Sequence, residues 1–232
     1  MPNVTVRWIG QSGYILSDGV TEICIDPYLS DVVYRVAHRG RMVKAPLQPE
    51  ELKCAAVICT HDHLDHTDID AIPHMDKNML FLAPSHAKKT LTECGVVRYA
   101  RFDEGDVYRV GDFTLTAVFA DHSVPAVGVL VQHGEYTLYF SGDTEYNERL
   151  TALAEKNIDV MFICINGKLG NMNVDEAVRL TRIISPKVGV PSHYGMFESN
   201  TENPEKYTAQ IENGFIMKHG AEYTVKEMLE YV

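Results

Sequence analysis

The sequence predicts an α/β fold in which β-sheets pack face to face with helices outside, and three observations carry that expectation. Short apolar strands separated by turns open the chain, alternating apolar patterns fill its middle, and apolar strands alternate with helical periods after Asp143. The opening strands read Val4–Ile9, Tyr14–Leu16 and Glu22–Asp26, with SDG at Ser17–Gly19 as punctuation. The stretch DPYLSDVVYRVAHRGRMVKAPLQPEEL, with its later prolines and mixed charge, reads as a long loop holding one helical turn. From Ala55 a buried strand, AAVICT, runs straight into HDHLDH. A second apolar strand, MLFLAP, follows, and SHAKKTLTECG reads as a helix with Ser85 as cap and Gly95 as stop.

Between Phe113 and Ser141 the segments FTLTAVFA, AVGVLVQ and YTLYFS are β-rich, with HGEY at His133–Tyr136 as a hairpin turn. Then come a helix over Asn147–Lys156, a strand over Ile158–Ile165, a helix over Val174–Ser185 and a strand over Lys187–Pro191. A last helix near Pro204–Asn213 precedes a short strand. No linker, repeat or low-complexity run interrupts this order, so one domain is expected over residues 1–232.

Composition narrows the function classes. Apolar residues make up 45% of the 232, enough for a substantial core, and charged residues 23%. A net charge of -11 opposes non-specific adhesion to nucleic acid or anionic lipid. Of the five cysteines, Cys24, Cys59 and Cys164 lie in apolar runs and Cys54 and Cys94 outside them; none forms a CxxC pair. That usage suits a reducing compartment. MPNVTVRWIG carries no signal-peptide pattern, and no apolar run approaches the roughly 20 residues that span a bilayer, so a cytoplasmic protein without membrane contact is expected.

The strongest chemical signal is His61-Asp62-His63-Leu64-Asp65-His66. Three imidazoles and two carboxylates at the end of a buried strand supply nitrogen and oxygen ligands suited to zinc, manganese or iron. The competing reading is a solvated polar loop. His122 follows FTLTAVFA, Asp143 follows YTLYFS, and His193 follows KVGVP, so each is a ligand-type residue just past an apolar strand. Singly, each is as readily a hydrogen-bonded structural residue or a turn former. The order His-x-His-x-Asp-His, His, Asp, His makes coincidence hard to sustain.

With those motifs in view, the chain resembles the metallo-β-lactamase superfamily, from WIGQSGYIL at Trp8–Leu16 to PSHYGMFESNTENPE at Pro191–Glu205. The flanks are most similar to the bacterial ascorbate-6-phosphate lactonase-like branch. The resemblance implies a four-layer αββα sandwich of two mixed β-sheets flanked by helices. It implies two divalent metal ions, zinc or manganese, with iron also accommodated. His61, His63 and His122 would hold the first and Asp65, His66 and His193 the second, with Asp143 bridging. Asp65 and Asp143 would be the catalytic carboxylates. A metal brings a bound water's pKa down to about 7, so hydroxide is available near neutral pH to attack a carbonyl carbon or a phosphorus.

Around that centre, Asp26 before Pro27 is expected to orient a ligand histidine, or simply to start a turn. Gln11 sits in a glycine-flanked turn. Arg35, His38, Arg39, Arg41 and Lys44 form a basic cluster, and Arg39 and Arg41 are candidate contacts for an anionic substrate. Lys168, with Asn166 and Asn171, is a second such candidate, and Tyr194 a donor to a developing oxyanion. His74, His86, His133 and His219 read as structural or exposed.

The expected function is metal-dependent hydrolysis of a small anionic substrate, with a sugar-acid lactone such as ascorbate-6-phosphate lactone leading. The alternatives are a phosphodiesterase or nuclease, an iron-dependent redox enzyme of the same superfamily, and a non-catalytic binding module. The interval between Asp143 and His193 is short for an inserted nucleic-acid domain, and all seven ligand positions are filled. Relatives of this kind often self-associate, so a homo-oligomer is also considered.

Overall fold

Successive side chains of a strand point to opposite faces, and a strand covered on both sides reads as an unbroken apolar run. That holds for β2 (Gly13–Ser17), β3 (Glu22–Ile25) and β4 (Ala56–Ile58). Tyr14, Leu16, Ile23, Ile25, Ala56 and Ile58 face the central core, while Ile15, Cys24 and Val57 face a second apolar layer with Ile72, Ala87 and Leu91. The computed structural model describes residues 4–231, so Met1–Asn3 and Val232 of the expected domain lie outside the described residues.

The first sheet has seven strands, in the order β13 (Glu222–Thr224), β1 (Thr5–Gly10), β2, β3, β4, β5 (Leu80–Ala83) and β6 (Tyr99–Arg101). Pairing is antiparallel as far as β3 and parallel from there to β6. The second sheet has six: β12 (Val188–Ser192), β11 (Val160–Cys164), β10 (Tyr136–Phe140), β9 (Val127–His133), β8 (Phe113–Phe119) and β7 (Val107–Val110). Here β7 to β10 are antiparallel, and β10, β11 and β12 parallel. His133 pairs with Tyr136 across the expected hairpin turn, where Gly134 takes a positive φ of 58°. Rings join the sheets: Tyr14 lies 5.1 Å from Phe140 and 4.9 Å from Phe162, and the two phenylalanines stack at 4.4 Å.

Helices cover both outer faces. α1 (Val32–Ala37) lies in the early loop, and α2 (Lys88–Glu93) with the turn Ser85–Ala87 packs under the first sheet. α3 (Val174–Ile184) buries Ala177, Val178, Leu180 and Ile184 against the second. Asn173 caps α3 by accepting from the Glu176 backbone N–H while the Glu176 carboxylate accepts from that of Asn173. The layers therefore run helix, sheet, sheet, helix, as expected, and both sheets are mixed.

Several boundaries differ from the sequence reading. Glu148–Lys156 is a 3₁₀-helix capped by the Asn147 side chain, and only Glu205–Thr208 (α4) is helical in the last predicted helix. There the edge of β12 competes for the backbone: Gly189 N–H donates to Asn213 O and Phe215 N–H to Gly189 O. β6, β7 and α5 (Val225–Tyr231) were not expected. Among the described residues, no helix is long and apolar enough to cross a membrane.

Candidate metal centre

Five strand ends meet at one edge of the sandwich. Asp26 follows β3, the 61–66 loop follows β4, His122 follows β8, Asp143 follows β10 and His193 follows β12. The 61–66 loop closes into a tight turn, because the backbone N–H groups of His66 and Thr67 both donate to His63 O and the Thr67 hydroxyl to His61 O. This places one group of ligand atoms from His61, His63, His122 and Asp143, and another from Asp65, His66 and His193, each within 4.8 Å of one another. Asp143 joins the groups: its Oδ1 is 3.2 Å from His66 Nε2 and 3.1 Å from His193 Nε2, and its Oδ2 is 3.9 Å from His122 Nε2.

Outer partners set the tautomers. Asp26 is fully buried and accepts from Thr60 N–H (2.7 Å), Thr60 Oγ1–H (2.8 Å) and His66 Nδ1–H (2.7 Å). Because the Thr60 hydroxyl gives its one proton to Asp26, it can only accept from His61 Nδ1–H at 3.1 Å. His122 Nδ1–H likewise donates to the Gly170 carbonyl at 2.9 Å. On His61, His66 and His122 the Nε2 lone pair is therefore turned inward. His63 Nδ1 then lies 3.0 Å from His61 Nε2 and 3.1 Å from His122 Nε2, while His66 Nε2 and Asp143 Oδ1 are buried with no hydrogen-bond partner. Inward lone pairs at such spacing repel one another unless a cation lies among them, so the residues fit a divalent metal.

The electrostatics agree. Burial opposes ionisation of Asp143 and Asp65, yet the imidazoles beside them hold both carboxyls below the usual carboxylate range. Burial likewise opposes charging of His66 and His193. Asp143, with Asp26, nevertheless pushes His66 up, and Asp143 with Asp65 pushes His193 up to about 9. Burial and the neighbouring imidazoles push His61 and His63 down. The carboxylates thus favour positive charge here, which a divalent cation supplies as it displaces ring protons.

Strain clusters at the same edge. Of the seven non-glycine residues with positive φ among the described residues, His38, Asn157 and Ser185 are helix C-caps, whereas Gln11 (52°), Asp26 (45°), Leu169 (57°) and His193 (59°) surround the centre. Such backbone costs about 1–3 kcal/mol per residue and persists where a site over-determines it. Gln11 is buried, its amide donating to Asp65 Oδ2 at 2.7 Å with its nitrogen 3.0 Å from His193 Nε2.

A cavity of about 500 Å³ opens over the centre, lined by His63, Asp65 and Asp143 and, beyond them, by Val33, Arg39, Leu64, Ser123, Leu169, Phe197 and Asn200. The structure sorts the basic candidates. Arg39 lines this cavity and forms no ion pair or hydrogen bond among the described residues. Arg41 instead straps the early loop, its guanidinium donating to the carbonyls of Tyr28, Ser30 and Val43 and lying 4.3 Å over the Tyr28 ring. Arg35 pairs with Asp70, and Lys168 donates to the Ser199 carbonyl at 3.0 Å. Tyr194 lies beside Trp8, centroids 4.9 Å apart, with its hydroxyl toward Met217 O and away from the cavity. Among the described residues Arg41, Lys168 and Tyr194 thus contact protein and do not line the cavity, although Arg41 Nη2 is buried without a partner and Lys168 is exposed; local sequence cannot reveal this. Asn200 lines the cavity, and sequence reasoning missed it.

Comparison with known proteins agrees with this fold. The Beta-lactamase superfamily domain matches residues 21–194, and the chain belongs to the metallo-β-lactamase superfamily. It is 29% identical over 219 residues to a UPF0173 metal-dependent hydrolase of Pyrobaculum islandicum, covering 89% of this chain and 91% of that one. Among solved structures, a possible metal-dependent hydrolase from Veillonella parvula superposes with a TM-score of 0.81 at 19% identity, over 97% of this chain and all of the other. An isothiocyanate hydrolase from Delia radicum gut bacteria superposes at 0.79 and 20% identity, over 94% and 98% of the two chains. At that identity both show the fold.

Proposed function

We propose that this protein is a metal-dependent hydrolase acting on a small anionic ester-like substrate, with a lactone as the leading class. One observation carries the reading: seven side chains from two sheets converge, and outer hydrogen bonds turn the Nε2 atoms of His61, His66 and His122 inward. Two divalent ions, zinc or manganese, would be held by His61, His63 and His122 and by Asp65, His66 and His193, with Asp143 between them. When bound, such ions ionise water near neutral pH and polarise the bond to be broken. Asp65, which accepts from the Gln11 amide, would orient the attacking water. Arg39 supplies an unpaired cation for the substrate's charge, and Val33, Leu64, Leu169 and Phe197 an apolar wall for its body. A pocket of this size and lining suits a small molecule better than a nucleic-acid strand. All five cysteines are free, four of them buried, which supports a cytoplasmic setting.

The test is turnover of a panel of lactones, carboxylic esters, phosphomonoesters and phosphodiesters by chelator-stripped protein reloaded with zinc or manganese. Activity that requires metal is expected on lactones or esters. No metal-dependent turnover in any class would overturn the reading.

A further inference from the structure

We infer that Asn200 is a catalytic residue whose side-chain NH₂ donates to the oxygen on which negative charge collects during hydrolysis; this rests on the proposed hydrolase reading. The argument begins with a chain of three buried amides, Asn166, Asn171 and Asn200, which are 4%, 7% and 5% exposed. The orientation of an asparagine amide is settled by its partners. Asn166 Nδ2 lies 3.2 Å from the Lys168 carbonyl, which can only accept, so that atom must be the nitrogen. The Asn200 atom 2.8 Å from the same nitrogen must then be Oδ1, the acceptor. On the other side, Asn166 Oδ1 can only accept, so the Asn171 atom 3.1 Å from it is its Nδ2.

With Oδ1 consumed, the end of Asn200 left for the cavity is its NH₂, and no hydrogen bond engages it among the described residues. It shares that cavity with His63, Asp65 and Asp143. The backbone around it is held as well: Asn200 N–H donates to Phe197 O at 2.9 Å, Gly195 N–H to Thr201 Oγ1, and Lys168 Nζ ties Ser199 to the 166–171 loop. A donor this fixed needs little reorganisation as charge develops, which is what makes such groups effective. As the water oxygen bonds to the scissile carbonyl carbon, the C=O π pair moves onto the oxygen, and Asn200 meets that oxyanion. The pair returns when the C–O bond breaks and its electrons leave on the alcohol oxygen, which takes up one of the attacking water's two protons while the other passes to solvent, giving carboxylate and alcohol. The same NH₂ would greet a tetrahedral anion.

The test uses two full-length variants. Asn200→Asp keeps the acceptor for Asn166 but removes the donor; Asn200→Ala removes the donor without adding charge. Both are reloaded with zinc and checked for metal content and melting temperature. Calorimetric titration with inorganic phosphate should show binding weakened about tenfold or more relative to wild type, and on any substrate found kcat should fall about 100-fold with metal content unchanged. A folded, fully loaded variant with wild-type phosphate affinity or wild-type kcat overturns the assignment, as does a zinc-loaded wild type that does not bind phosphate. Should the wild type turn over nothing, the hydrolase reading fails by itself while the phosphate titration still decides the donor. If Asn200→Ala does not fold, Asn200→Leu, uncharged and close to asparagine in shape, takes its place.

Discussion

Replacing Asp26 with asparagine isolates the outer support of the metal centre from its ligands. In the native protein the carboxylate takes three donors, from Thr60 N, Thr60 Oγ1 and His66 Nδ1, all within 2.8 Å and away from water. Asparagine keeps one oxygen; with that oxygen at the Oδ1 position, where Thr60 N–H donates, its NH₂ replaces Oδ2, and Thr60 Oγ1 and His66 Nδ1 both lose their acceptor. His66 Nε2 then no longer points inward by default. Loss of such an outer partner weakens metal binding about 10- to 100-fold, or about 1.4 to 2.8 kcal/mol. By linkage, that deficit removes part of the metal-induced stabilisation of the fold. For a chain of this size it corresponds to about 3 to 11 °C less thermal upshift on adding metal. The variant will also be less stable without metal, since a buried donor is left unpaired. The assay therefore compares the rise in melting temperature between chelated and zinc-loaded samples of each protein, with affinity measured against a competing chelator. Equal zinc affinity and equal upshift in Asp26→Asn and wild type would refute the reasoning.

Two further outcomes follow from geometry elsewhere. Gly170→Ala would place a Cβ 2.8 Å from His122 Nδ1 at a φ of +86°, so metal affinity should fall about tenfold or more; unchanged affinity by chelator competition would refute it. Burial raises the Asp18 carboxyl, but the Thr21 and Val20 backbone N–H groups, with His133 beside them, hold it below its ordinary value. A depressed carboxyl contributes stability above its unfolded pKa of about 3.9 and loses it as pH falls through the folded value. Asp18→Asn should thus cost about 1.5 to 3 kcal/mol in urea unfolding at pH 7, the gap to wild type closing below about pH 4; a gap independent of pH would refute it.

How much of this was legible follows from the range of each interaction. The ligands could be found because each one ends an apolar strand, and strand ends are visible as a local change from apolar to polar residues, as at AAVICT-HDHLDH. α3 was legible because its apolar period lies within a dozen or so residues, whereas its Asn173–Glu176 cap comes from the structure. β6, three residues long, carries too little pattern to show, and Pro204–Asn213 looked helical until Gly189 claimed the backbone of Asn213. Asn200 had no local signal at all, since its meaning comes from an amide 34 positions away in sequence. Arg41 shows the same limit: a basic residue in a basic loop says nothing about the carbonyls of Tyr28 and Ser30 to which it donates.

The division of ligands between the sheets carries a consequence for assembly. His61, His63, Asp65 and His66 ride on one sheet, whereas His122, Asp143 and His193 ride on the other. Any ion seated there is a rivet through both halves of the sandwich. A nascent or half-folded chain offers only a few of the donors, so firm capture must wait until the halves have closed. Metal loading is therefore expected to tighten only as the two sheets close on each other.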